Sequence, residues 1–164
     1  MDAGVHPGPL SASIPLVIVR AMIEQAQREY PNEACGIVSG TALAESGGTF
    51  ARWFPARNEA ASPLRFNIEP DDLLRIYKAI DGADEEVWAI VHSHVRSSAK
   101  PSPTDIGRAA GWPGALWILV SLAEIGGDGP VPADAQLIAS PAPTVRAWRI
   151  IDGQPWEVAL AVAG

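Results

Sequence analysis

The chain has 164 residues, 48% hydrophobic and 19% charged, which suits one globular domain burying roughly 70% of its unfolded surface. A net charge of −7 without any basic block argues against nucleic acid or an anionic membrane as partner. A single cysteine, Cys35, excludes an internal disulfide and the paired-cysteine site of a zinc deaminase, and it fits a reducing cytoplasm.

Residues 1–13 are rich in glycine, proline and small side chains and are expected to form a flexible tail, with His6 a surface residue. No positive leader precedes an apolar core there, so no signal peptide is expected, and no apolar run reaches the ~18 residues of a membrane span. Pro15–Tyr30 has helical periodicity, with Ile18, Ala21, Met22 and Ala26 on one stripe, and Pro31-Asn32 ends it. Cys35–Ser39 reads as a short buried strand, and Gly47-Gly48 turns into a second at Thr49–Ala56. The loop Asn58–Ile68 ends in an extended piece at Phe66–Ile68, where Arg65 and Phe66 can line a groove. Pro70–Asp81 is a second helix, with Leu73, Leu74, Tyr77 and Ile80 assigned to the core.

Val87-Trp-Ala-Ile-Val91 is a strand rich in β-branched and aromatic residues. His92 and His94 continue it, and side-chain alternation puts both on one face with Cα atoms about 6.5–7 Å apart. Ser93 points the other way. A short polar loop then leads to Ser102-Pro-Thr-Asp105, which reads as a helix start with Ser102 as N-cap and Pro103 in the first turn. Asp105 can therefore turn back toward the strand end. Two histidines and a carboxylate, with a fourth position open to water, suit a catalytic zinc. Each piece alone has a plainer explanation, since core histidine pairs and capped helices are common. Their joint occurrence does not.

Pro103–Ala110 is expected to make about two helical turns, stopped by Gly111 and Pro113. Ala115–Leu122 is a buried strand, 124–132 a flexible loop, and Gln136–Ala139 pairs with Val145–Ile151. Asp152-Gly153 signals a hairpin into Trp156–Val162. Trp88, Trp117 and Trp148 lie in strand patterns and are assigned to the core. Glu33 stands where helix gives way to strand, and taken alone it reads as an exposed glutamate in a turn. Cys35 is best explained as a buried small hydrophobe.

His92-Ser-His94, seven residues, Ser102, two residues and Asp105 resembles the JAMM (MPN-plus) metalloprotease signature H-S-H-x7-S-x2-D, and Glu33 matches the upstream glutamate of that family. The wording Glu29-Tyr-Pro-Asn-Glu-Ala-Cys-Gly36 resembles its small bacterial Mec-type branch. The resemblance runs from about Ile14 to the C-terminal strands. It implies an α/β domain over 14–164, a mixed sheet flanked by helices of the JAMM/MPN, cytidine-deaminase-like kind. It further implies one Zn2+ per chain on His92, His94 and Asp105, with Glu33 and Ser102 catalytic. The implied reaction is hydrolysis after the C-terminal Gly-Gly of a ubiquitin-like (ThiS-like) sulfur-carrier protein, releasing cysteine in the cytoplasm. A general isopeptidase for ubiquitin-like modifiers is the alternative, a non-catalytic scaffold a third reading, and a homodimer is compatible with each.

Overall fold

A computed structural model describes residues 11–123 and 144–164. Seven strands form one mixed sheet in the order β1-β7-β6-β5-β4-β2-β3. In chain order these are β1 Ser11–Pro15, β2 Cys35–Gly40, β3 Phe50–Ala56, β4 Glu86–His94, β5 Leu116–Ser121, β6 Thr144–Ile151 and β7 Gln154–Ala163. Helix α1 covers Leu16–Glu29, α2 Pro70–Gly82 and α3 Pro103–Arg108. β1 with β7 and β4 with β5 are parallel; the other pairs are antiparallel. The expected α/β sheet flanked by helices is what the chain forms.

Each face of the sheet has its own apolar layer. On one side α1 packs Val19, Met22, Ile23 and Ala26 against Ala89, Val91, Ile118 and Val120. On the other, α2 contributes Ile76 and Ile80, which meet Ile37, Ile90, Trp117 and Leu119. β2 and β5 are buried along their whole lengths, as expected of central strands covered on both faces. Trp88, Trp117 and Trp148 are all buried, as assigned.

Three expectations need correction. Residues 11–13, assigned to the tail, begin edge strand β1, where Ala12 and Ile14 alternate inward and Pro15 ends the strand without needing to donate. The inner stripe of α1 is Val19, Met22, Ile23 and Ala26, with Ile18 and Ala21 only partly covered. In α2, Ile76 and Ile80 face the sheet at i, i+4, while Leu74 is 55% and Tyr77 37% exposed. Tyr77 stays at the surface because its hydroxyl receives a hydrogen bond from Trp112 Nε1 at 2.7 Å. The remaining tail with His6, the 124–132 loop and the strand expected at Gln136–Ala139 lie outside the described residues.

Asp152 and Gly153 both have positive φ, at 50° and 76°, the geometry a tight hairpin between β6 and β7 requires. Gly36 fulfils a different need. A Cβ there would lie 2.4 Å from the Trp53 ring and 2.6 Å from the Phe54 carbonyl oxygen, so only glycine fits under β3.

Candidate metal centre

The site forms where β4 ends beside its parallel neighbour β5. Residues of β4 alternate, so His92 and His94 emerge on the α2/α3 face, both nearly inaccessible. Phe66 lies flat on His92, ring centroids 4.4 Å apart, and Trp117 meets the same imidazole edge-on at 5.8 Å. Such walls exclude water and fix the ring.

Helix α3 carries Asp105 to the histidines. Ser102 Oγ accepts from the Asp105 N–H at 3.1 Å, and Asp105 Oδ2 accepts from the Ser102 N–H at 2.9 Å, a complete capping box. The carboxylate is thereby held with Oδ1 3.0 Å from His92 Nε2 and Oδ2 3.2 Å from His94 Nε2. His94 Nδ1 lies 2.7 Å from the Ser98 carbonyl oxygen. A carbonyl can only accept, so Nδ1 carries the proton and Nε2 presents its lone pair to the site.

Glu33 arrives from the α1–β2 connection. Its backbone N–H donates to Ser62 O at 2.8 Å, and its carbonyl accepts from Asn58 Nδ2 at 3.0 Å. The following residue is fastened to the metal strand itself: the Ala34 N–H donates to Ser93 Oγ at 2.7 Å, and the Ser93 N–H donates to Ala34 O at 3.0 Å. Glu33 Oε1 consequently stands 3.3 Å from His92 Nδ1, and the residue lines the cleft.

His92, His94 and Asp105 can each offer a ligand atom within 4.8 Å of the others, and all three are buried. Both ring nitrogens of His92 are buried without a hydrogen bond, although carboxylate oxygens stand 3.0 and 3.3 Å away. The His92 nitrogens thus lie near both carboxylates without being aimed at either, as a ligand turned toward a shared centre is. Buried polar atoms left in this way call for an explanation, and a divalent cation supplies it. The donor set fits a metal. Burial opposes charge on His92, but Asp105 and Glu33 outweigh it and raise its pKa to about 9. Burial likewise pushes the Asp105 carboxyl upward, and the two imidazoles close to it, with the Ser102 N–H, overcome this and hold it far below the usual carboxylate range.

All five residues singled out from sequence thus meet in one place. A cavity of about 150 Å³ opens over them, lined in part by Glu33, Arg65, Phe66, Ser102 and Arg108. Arg65 and Phe66 do border the groove, but Phe66 also holds His92, a contact no local pattern announces. The bond that Ser93 makes to Ala34, and Arg108 altogether, escaped the sequence reading. The serine's parity, opposite to its histidine neighbours, and the arginine's i+3 spacing from Asp105 were the available signals. Cys35 is fully buried, its thiol directed at the Ala56 and Arg57 carbonyls, and burial pushes its pKa up to about 12.

Residues 15–151 match the family model for prokaryotic homologues of the JAB domain. A CysO-cysteine peptidase of Mycobacterium tuberculosis is 32% identical over 140 residues, covering 85% of this chain and 83% of that one. A desampylase of Haloferax volcanii is 33% identical over 99 residues, covering 60% of this chain and 68% of that one. In fold, the chain is similar to a protein of Desulfitobacterium hafniense solved in solution, with a TM-score of 0.69 at 23% identity, covering 93% and 92% of the two chains.

Proposed function

The chain belongs to the family of prokaryotic JAB-domain homologues and is a hydrolase of the peptidase or isopeptidase kind; from this footing we propose that it is a zinc peptidase. Its substrate, on this reading, is the C-terminal adduct of a ubiquitin-like sulfur-carrier protein, cut after a Gly-Gly tail to release cysteine. The observation that carries the reading is the convergence of His92, His94 and Asp105 beside Glu33, in a narrow cleft.

His92, His94 and Asp105 would hold the zinc. Bound there, it supplies Lewis acidity toward the scissile carbonyl and acidifies water. The chain's own groups account for the remaining steps. The Glu33 carboxylate takes the proton of the attacking water and returns it to the departing amine. Capping uses Ser102 Oγ only as an acceptor, so its hydroxyl proton remains available to the tetrahedral oxyanion. Such a donor contributes typically about 3–4 kcal/mol when aligned. The Ser98 carbonyl keeps His94 in the correct tautomer, and Phe66 keeps the His92 ring from turning. A cleft of this size admits an extended glycine tail more readily than bulkier residues. The 32% identity to the mycobacterial peptidase, across most of both chains, favours a carrier–cysteine adduct over a lysine-linked conjugate.

The test is to incubate zinc-loaded protein with a ubiquitin-like carrier ending in Gly-Gly-Cys and to weigh the product. Loss of one cysteinyl unit, abolished by a chelator and by Glu33→Gln, is expected. Cleavage of a lysine-linked conjugate with the Gly-Gly-Cys carrier left intact would select the isopeptidase reading instead.

A further inference from the structure

Positive charge at the cleft is not answered by the protein's own carboxylates. Arg52, Arg57, Arg75, Arg146 and Arg149 each lie within 4 Å of an acidic side chain. Arg65, Arg96 and Arg108 border the metal cleft, and among the described residues none of them has a carboxylate partner, which away from the cleft is true also of Arg20 and Arg28 on α1. This happens in a chain of net charge −7, whose cleft acids, Glu33 and Asp105, are turned toward the histidines.

Arg108 is the most firmly placed of the three. It lies three residues beyond Asp105 in α3, so both project from one helix face. Its guanidinium sits 4.4 Å above the Phe66 ring, donates through Nη1 to the Phe66 carbonyl and reaches Asn67 Oδ1 at 3.4 Å through Nη2. Two of its five N–H groups are thereby used, and the rest stay available on a fork already fixed in position. A second cavity, of about 490 Å³, adjoins the first and shares the wall formed by Arg65, Phe66, Thr104 and Arg108. The first cavity is smaller than the about 300–1,000 Å³ typical of drug-sized ligands. A cation inside so small a space, beside the reacting centre, meets the end of a substrate rather than the surface of a folded partner.

We propose that Arg108, with Arg65 at the lip, forms a subsite for the free α-carboxylate of the single amino acid released by hydrolysis. The proposal rests on the peptidase reading above and sharpens it. A residue joined to a carrier through its α-amine has a free carboxylate next to the scissile bond. A lysine joined through its side chain has its α-carboxyl tied up in a peptide bond, far from the cut. Arginine forks bind carboxylates through paired, charge-assisted hydrogen bonds, so the subsite selects the first substrate and disfavours the second.

The test compares two carriers that differ in one group, Gly-Gly-Cys as the free acid and as the C-terminal amide, with zinc-loaded enzyme. The acid is expected to be favoured about tenfold to a hundredfold in kcat/KM, as a charge-assisted pair implies. That ratio falls toward one in Arg108→Gln, falls in part in Arg65→Gln, and shrinks in high salt. Arg65 is exposed, so Arg65→Gln reads the effect even if Arg108→Gln fails to fold. Calorimetric binding of both carriers to the Glu33→Gln variant gives the same ratio without turnover. Equal handling of acid and amide by the native enzyme, or a ratio unmoved in both arginine variants, overturns the subsite while leaving the peptidase reading intact. Hydrolysis of neither, with cleavage of a lysine-linked conjugate, overturns both.

Discussion

Replacing Ser93 by alanine isolates the link that brings Glu33 to the metal ligands. Ser93 is 1% and Ala34 3% exposed, and the Ala34 N–H donates to Ser93 Oγ at 2.7 Å. Alanine leaves that N–H buried without a partner, a loss of about 1–3 kcal/mol. For a domain of this length each kcal/mol shifts Tm by roughly 2–4 °C, so the expected fall is about 2–12 °C. The backbone bond from the Ser93 N–H to Ala34 O remains, so the sheet holds while the residue after Glu33 loses one of its two bonds to Ser93. Misplacement of a reacting group by about 1 Å can lower turnover ~100-fold. The expected pattern is a large drop in kcat with KM nearly unchanged and zinc still bound, because His92, His94 and Asp105 do not use the hydroxyl. Urea unfolding, steady-state kinetics and zinc titration read the three quantities. A variant within about 0.5 kcal/mol of the parent and fully active would refute the fastening role.

Zinc at about 100 times its Kd should stabilise the fold by ~2.7 kcal/mol, a Tm rise of several degrees that His94→Ala and a chelator both abolish in a thermal scan. Gly36→Ala should destabilise by at least about 1–3 kcal/mol, since its methyl would enter the Trp53 ring and the Phe54 carbonyl; denaturant unfolding checks this. The bond from Arg57 outweighs burial and holds the Asp72 carboxyl below its ordinary range. Because its folded pKa is depressed, Asp72 contributes stability that is full above an unfolded pKa near 3.8 and disappears as pH falls through the folded value. Acid unfolding curves should therefore show Asp72→Asn losing less stability than the parent below about pH 4, by a small margin because Arg57 is mostly exposed.

Local chemistry announced much of this molecule. The two histidines face one way because strands alternate, and Ser102 with Asp105 forms a capping box because that sequence caps helices. Asp152-Gly153 adopts the hairpin its composition predicts. What sequence could not convey was set by tertiary contact. The inner stripe of α2 was misassigned because Leu74 and Tyr77 are large, mainly apolar side chains at helical spacing, and only the sheet decides which side faces in. The first three residues of β1 were read as tail because so short a strand carries too little periodicity, and its partner β7 is at the other end of the chain. The approach of Glu33 to His92 was legible only through family resemblance. Its physical cause is the pairing of Cys35 with His92 and the bond to Ser93.

Diffraction from zinc-soaked crystals, recorded at the zinc absorption edge, addresses the convergence on which the rest depends. One anomalous peak is predicted per chain, bonded to His92, His94 and Asp105 and within reach of Glu33 through one water. A peak bonded to a set lacking either histidine, or no peak at that place, would contradict it.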